Sequence, residues 1–393
     1  MNIGSNMPIS FDFSTAPRIL FGPGKIGEIG EIIRLFGEKV FILSGLPDGE
    51  VLHRMLQVLE KSDLDYRTHL VNCEPTIATI SGFLGHLKAF KPDVVIGFGG
   101  GSAMDSAKAI ASLSTNQGEI TDYLEIIGRG MQLKNDPLPM VAIPTTAGTG
   151  SEVTRNAVIS DTVKKIKVSL RSPLLIPKVA LVDPELALKM PPPITASTGM
   201  DAITQLVEPF TSNKANPITD ALCKEGLTRA ARSLREAYFD GDRLGARQDM
   251  ALASLFSGIA LANAKLGVVH GFASVLGGLL NAPHGAICAR LLPFTVDGNI
   301  KALIEREAHN NALGKYTEIA RILVGHHRAT MEDGVNWLRQ LSGELQIKPL
   351  RQYGLDRRLF DEIIQQTKKS SSTQGNPIAL TDDELMEILE QAY

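Results

Sequence analysis

Cysteine is scarce: Cys73, Cys223 and Cys288 are the three in 393 residues, odd in number and far apart. A disulfide framework needs pairs and a zinc ribbon needs closely spaced CxxC ligands. Neither is expected, and the usage fits a reducing, cytoplasmic compartment. No sign of charge dominates, since 40 Lys and Arg face 43 Asp and Glu for a formal net charge of -3. A polyanion partner is usually met by a marked basic excess, so nucleic acid is not an expected partner. Met1 to Phe13 lacks a basic region followed by an apolar run, and no secretory signal is read there. Internal repeats and low-complexity tracts are also missing. Charge itself is missing from Leu266 to Ala289, a stretch of 24 residues. Its length would span a bilayer. It nevertheless holds His270, His284, Asn281, Pro283 and five glycines, groups that lipid would penalise heavily. Buried protein interior that carries function is the expectation, with no membrane partner.

What is present suits two domains of ordinary globular composition, with 44% hydrophobic and 21% charged residues. In the first half, apolar runs alternate with helical patterns. Strands are expected at Lys39–Ser44, Tyr66–Val71, Asp93–Gly97, Pro139–Ile143 and Val179–Val182, with helices at Val51–Lys61, Ile77–Phe90 and Ser102–Ser114. This alternation points to a parallel sheet flanked by helices. Beyond Pro191-Pro192-Pro193 the pattern is helical: Ala196–Glu208, Pro217–Ala237, Arg247–Ala264, Glu305–Leu323, Met331–Leu341 and Asp382–Ala392. The division expected is an α/β domain over 1–190 and an all-α domain over 191–393. Lys164, Lys165 and Lys167 form a basic cluster that reads by itself as a solvated turn.

Two runs carry chemistry. Gly97-Phe-Gly-Gly-Gly-Ser102 follows a strand and opens a helix. Residues without Cβ let the backbone approach a pyrophosphate, and the unpaired N–H groups of a first helical turn face the anion. Ser102 reads as the N-cap, with Asp105 three residues later. Such a turn can equally be structural. Pro144-Thr-Thr-Ala-Gly-Thr-Gly-Ser-Glu152 also follows a buried strand, and two such turns suggest one crevice at the carboxyl edge of the sheet. Separately, Asp201 and Gln205 lie four apart on one helix face. His270 and His284, 14 apart, sit beside glycines in the uncharged stretch. Imidazole and carboxylate suit a divalent metal, although a lone histidine is commonly a core or loop residue.

Gly99 to Lys108, Thr145 to Glu152, Gly199-Met-Asp-Ala-Ile-Thr-Gln205, and His270 through His284-Gly285 resemble, in order and spacing, the signature blocks of the iron-containing (group III) alcohol dehydrogenases. The resemblance runs from Phe21-Gly-Pro-Gly24 to Asn376-Pro377. It implies a dehydroquinate synthase-like arrangement, with a dinucleotide-binding domain followed by a helical metal domain. It implies NAD or NADP held by Gly99, Gly100, Gly101, Ser102, Asp105, Thr145, Thr146, Thr149 and Lys167. It places divalent metal ligands, for iron or zinc, at Asp201, Gln205, His270 and His284, with His270 and Ser274 as catalytic positions. Three positions depart from the family pattern. Gln205 stands where the family has histidine, and an amide oxygen is a weaker ligand than imidazole. Ser274 stands at a second family histidine. Gly45 stands where NAD-preferring members often have an Asp for the ribose 2′-OH.

The activity implied is metal-assisted hydride transfer between a nicotinamide and a small alcohol or aldehyde, in a homo-oligomeric enzyme. The alternatives are a metal-independent reductase similar to the maleylacetate reductases, with Arg155 and Arg290 meeting substrate charge, and a catalytically inactive cofactor-binding relative. A lyase like dehydroquinate synthase ranks last.

Overall fold

The computed structural model describes residues 10–164, 166–280 and 282–393. Residues 1–9, Lys165 of the basic cluster and Asn281 of the uncharged stretch lie outside the described residues. The strands are β1 (Arg18–Phe21), β2 (Lys39–Ser44), β3 (Asp65–Leu70), β4 (Val94–Gly99), β5 (Met140–Pro144), β6 (Asn156–Asp161), β7 (Ile166–Arg171) and β8 (Val179–Val182). The first half also carries α1 (Ile29–Arg34), α2 (Glu50–Lys61), α3 (Ile77–Phe90), α4 (Gly101–Leu113) and α5 (Ile120–Tyr123). The second half is α6 (Pro192–Thr211), α7 (Pro217–Phe239), α8 (Leu244–Ala264), α9 (Val268–Leu279), α10 (His284–Arg306), α11 (Ala312–Val324), α12 (Met331–Glu344), α13 (Phe360–Lys369) and α14 (Asp382–Ala392).

Six strands form one parallel sheet in the order β1-β8-β5-β4-β2-β3. Every residue of β4 and β5 is buried, because helices cover both faces; that is why these strands read as unbroken apolar runs. The chain runs from β2 to β3 at the sheet edge and then crosses back over β2 to place β4 on its other side. The order therefore reverses between β2 and β4, and the crevice for a ligand opens outside their carboxyl ends.

Two expectations along the chain are corrected. Segment 156–171, for which no element was expected beyond a solvated turn at the Lys164–Lys167 cluster, is an antiparallel hairpin of β6 and β7, with Asn156 opposite Arg171 and Asp161 opposite Ile166. Asp161 Oδ1 closes its turn, accepting from the N–H groups of Val163 (2.9 Å) and Lys164 (3.0 Å). The single helix expected over Glu305–Leu323 is broken between α10 and α11. Asn310 Oδ1 accepts from the Ala312 N–H at 2.9 Å and caps a new start, the local competition with helix that Asn side chains offer. The triple proline, by contrast, fits inside the start of α6, because proline is tolerated in the first helical turn.

The helical half has its own core, built from α6 to α14. A smaller cluster joins the halves: Ala180 and Val182 of β8 and Val153 pack on Ala251, Leu255 and Ile259 of α8. Beside it, Gly150 (φ 59°) meets Gly258 of α8 so closely that a Cβ on Gly150 would stand 2.4 Å from the Gly258 Cα. Among the described residues no single helix is long and apolar enough to cross a membrane. The α8 helix, which precedes the uncharged stretch, and α9, which lies within it, are bent by 99° to each other.

Candidate active site

The two halves enclose a cleft of about 2330 Å³ whose walls include Gly100, Thr149, Lys167, Asp201, His270 and His284. Its upper wall is the crevice at β2 and β4. Gly99 has φ 149°, and a Cβ there would lie 2.9 Å from the Gly45 nitrogen at the end of β2. Only glycine permits that approach. The helix cap differs from expectation. Gly100, with extended backbone, is the N-cap of α4, and Ser102 already lies inside the first turn. No side chain among the described residues caps that turn, so its N–H groups face the cleft. The second glycine-rich turn presses on this one: a Cβ on Gly100 would sit 3.4 Å from Thr146 Oγ1, and one on Gly101 3.1 Å from Thr149 Cγ2. Thr145 is buried beneath them.

Asp105, on the cleft wall, is tied into the protein. Its carboxylate accepts from Ser151 Oγ (2.6 Å) and from the Val158 N–H (2.9 Å). The buried Lys108 ammonium, pushed down to about 8 by burial against the opposing pull of Asp105 and Glu152, donates to Ser151 Oγ and Thr154 Oγ1, both at 2.8 Å. Together these groups tie α4 to the second turn and the hairpin. Asp105 therefore supports the pyrophosphate crevice from behind. Lys167 projects from β7 into the cleft. It pairs with Glu74 at 2.6 Å, and its stem packs against Gly277 of α9.

The lower wall is a polar centre in an apolar surround. Asp201 on α6, His270 on α9 and His284 at the start of α10 converge, with His270 Nε2 at 3.6 Å and His284 Nε2 at 4.0 Å from Asp201 Oδ1. Gly285 allows this: a Cβ there would lie 2.3 Å from the Ser197 carbonyl of α6. Asp201 Oδ1 and His270 Nε2 are buried and have no hydrogen-bond partner among the described residues. Leaving two such atoms unpaired costs on the order of 1–3 kcal/mol each, and a divalent cation would satisfy both. The donor set fits the metal that the family resemblance implies.

Gln205 behaves differently from the ligand expected. A carboxylate offers only acceptors, so the amide turns its NH2 toward Asp201 Oδ2, at 3.0 Å. Its oxygen, the one atom able to ligate, points away and accepts from Ser257 Oγ at 3.0 Å. Gln205 thus orients Asp201 instead of binding beside it.

Two residues of this centre were not singled out by sequence. Glu208, one more turn along α6, takes the His270 Nδ1 at 2.6 Å and the Val269 N–H at 2.7 Å. Held so, His270 presents Nε2 to the centre. Burial opposes charge on His270, but Cys288 when ionised, Glu208 and Asp201 outweigh it and lift its pKa well above the ordinary value. Cys288 lies one turn after His284 on α10, with Sγ 3.6 Å from His284 Nε2, and its ligand atom joins those of Asp201, His270 and His284 within 4.8 Å of one another. Burial pushes its thiol up to about 12. The same burial, with His270 and Lys167 adding to it against Asp201, lowers the His284 pKa. The spacings 201, 205, 208 and 284, 288 are helical and were the available signal.

Ser274, on the cleft wall, donates to the Gly271 carbonyl at 2.8 Å and lies 3.3 Å from Ser370 Oγ. Arg155 lines the cleft. Arg290 does not: it donates to the Gln391 and Ala392 carbonyls at the end of α14.

Comparison with known proteins agrees with this architecture. Residues 16–184 match the family model described as iron-containing alcohol dehydrogenase. Residues 195–393 match the C-terminal model of the Fe-containing alcohol dehydrogenase family. Alcohol dehydrogenase 4 of Saccharomyces cerevisiae is 34% identical over 386 residues, covering 97% of this chain and 98% of that protein. The solved structure of an alcohol dehydrogenase from Oenococcus oeni superposes with a TM-score of 0.89 at 34% identity, over 98% of this chain and 100% of that one. A sulfoacetaldehyde reductase from Bifidobacterium kashiwanohense, solved in complex with NAD+, superposes with a TM-score of 0.85 at 27% identity, over 98% of each chain.

Proposed function

The chain belongs to the iron-containing alcohol dehydrogenase family and is an oxidoreductase acting on alcohols, and on that premise we propose that it interconverts a small alcohol and its aldehyde using NAD or NADP. The observation that carries this reading is the pairing of two features across one cleft. The uncapped α4 turn lies on one wall, and the unpartnered Asp201 Oδ1 and His270 Nε2 lie on the other. When bound, the nicotinamide supplies hydride exchange and the divalent cation polarises the substrate oxygen.

The chain's own residues do the rest. Gly99, Gly100, Gly101 and Ser102 bring backbone N–H groups to a pyrophosphate, and Thr145, Thr146 and Thr149 line the path toward the nicotinamide. Lys167 lends positive charge to the same wall. Asp201, His270 and His284 hold the cation, with Gln205 and Glu208 fixing the first two in orientation. Ser274, with the half-exposed Ser370 hydroxyl 3.3 Å beyond it, relays a proton between the substrate oxygen and solvent. Gly45 places no carboxylate at the end of β2, so a ribose 2′-phosphate meets no repulsion there. A homo-oligomer in the cytoplasm is the setting we assign. The metal-independent reading for an acidic substrate loses one of its two arginines, because Arg290 is spent on α14, while Arg155 lines the cleft together with Arg171.

The test is turnover of a panel of neutral and charged aldehydes with NADH and NADPH, on protein supplied with zinc or iron. Oxidation of either cofactor is expected, and Asp201→Asn should lower kcat/KM by on the order of 100-fold or more. An inert enzyme across the whole panel, or an Asp201→Asn variant as active as the parent, would overturn the assignment.

A further inference from the structure

Four-coordinate zinc has bonds of about 2.0–2.3 Å, so the edges of its tetrahedron are about 3.3–3.8 Å. Three edges of the polar centre come near that: 3.6 Å from His270 to Asp201, 4.0 Å from His284 to Asp201, and 3.6 Å from Cys288 Sγ to His284. The Gln205 oxygen is turned away toward Ser257. We propose that Cys288 supplies the fourth protein ligand, filling the coordination place that Gln205 gives up and converting the centre into a carboxylate, two-imidazole, one-thiolate site that favours zinc and would take the substrate oxygen as a fifth ligand. The inference rests on the reading that Asp201, His270 and His284 hold a divalent cation.

The buried, unpartnered Asp201 Oδ1 and His270 Nε2 give this more weight than a cysteine alone would carry, since both aim into the space the sulfur borders. Position on α10 does the same. His284 and Cys288 are one turn apart on one face, and Gly285 between them seats that face against α6. On binding, the S–H bond gives its proton to solvent as the sulfur–metal bond forms, with no change of oxidation state. Burial disfavours the bare thiolate, but a dication in contact reverses that balance. A soft sulfur donor also shifts selectivity toward zinc and away from the harder oxygen-seeking ions.

Cobalt(II) reports the ligand directly. In a Cys73→Ser background, which removes the exposed thiol, the cobalt-loaded protein should show a near-ultraviolet thiolate-to-cobalt charge-transfer band. Cys288→Ser should abolish the band and weaken zinc binding, measured by chelator competition, by on the order of 10–100-fold or more. A cobalt protein without the band overturns the proposal, as does a protein that takes up no cobalt. A Cys288→Ser variant whose zinc affinity changes by less than about threefold does the same. If that variant fails to fold, the spectrum of the Cys288-containing protein decides. Aldehyde reduction is assayed separately. Turnover without the band sinks the cysteine ligand and leaves the dehydrogenase reading standing, whereas the band without turnover does the reverse.

Discussion

Glu208 serves two elements with one carboxylate: one oxygen holds the start of α9 through the Val269 N–H, and the other fixes the His270 ring. Replacing it by Gln keeps the shape and removes the charge that selects the ring tautomer. Glu208→Gln is expected to lower zinc or iron affinity by about 10–100-fold, read by chelator competition, while the helical far-ultraviolet spectrum stays unchanged. At this scale the sequence was informative where a residue type has one dominant use. Asp201, His270 and His284 were found through their motif blocks. The Gln205 role was not, because whether an amide ligates or tethers depends on which end faces the carboxylate, and spacing does not encode that. The Ser102 cap was misplaced for a similar reason. A serine next to three glycines looks like a cap, but the backbone turns three residues earlier, at Gly99, where the chain adopts a conformation only glycine holds easily.

Whole elements were legible where burial was uniform. The strands β2, β4, β5 and β8 appeared as unbroken apolar runs because both sheet faces are covered. The hairpin was missed because β6 and β7 alternate buried and half-exposed residues over only six positions each, and their charged side chains resemble a turn. Pairing of elements, meanwhile, depends on charges no local pattern reveals. Asp249 of α8 binds Arg232 (2.6 Å), Arg229 (2.8 Å) and Ser233 (2.6 Å) of α7. Burial pushes its carboxyl up, but Arg232 and Ser233 outweigh burial and hold it below the ordinary range. A depressed folded-state pKa contributes stability that is present above the unfolded value of about 3.9 and lost as pH falls through the lower folded value. Asp249→Asn should therefore cost about 1–3 kcal/mol in urea unfolding at pH 7. The difference from the parent should shrink toward zero in the acid range below about pH 3.

Across the whole molecule, the α/β half and the helical half meet through the β8–α8 cluster and the Gly150–Gly258 contact. A methyl at Gly258 would stand 2.3 Å from the Gly150 carbonyl oxygen, with backbone on both sides and nothing flexible to yield. Gly258→Ala is expected to cost about 1–3 kcal/mol and to weaken NADH binding, followed by fluorescence quenching, because the displaced turn is the one that backs the cofactor crevice. Gly245→Ala on the same helix, with open space around it, should instead leave both unchanged or raise stability by up to about 1 kcal/mol. The contact also sets how the cleft can breathe. Two backbones touching without side chains between them cannot be compressed, but they resist rotation only weakly. Gly150 and Gly258 thus form a fulcrum close to the cofactor turn. A second contact across the cleft, Lys167 of β7 packed on Gly277 of α9 while paired with Glu74, limits how far one half can turn about that corner.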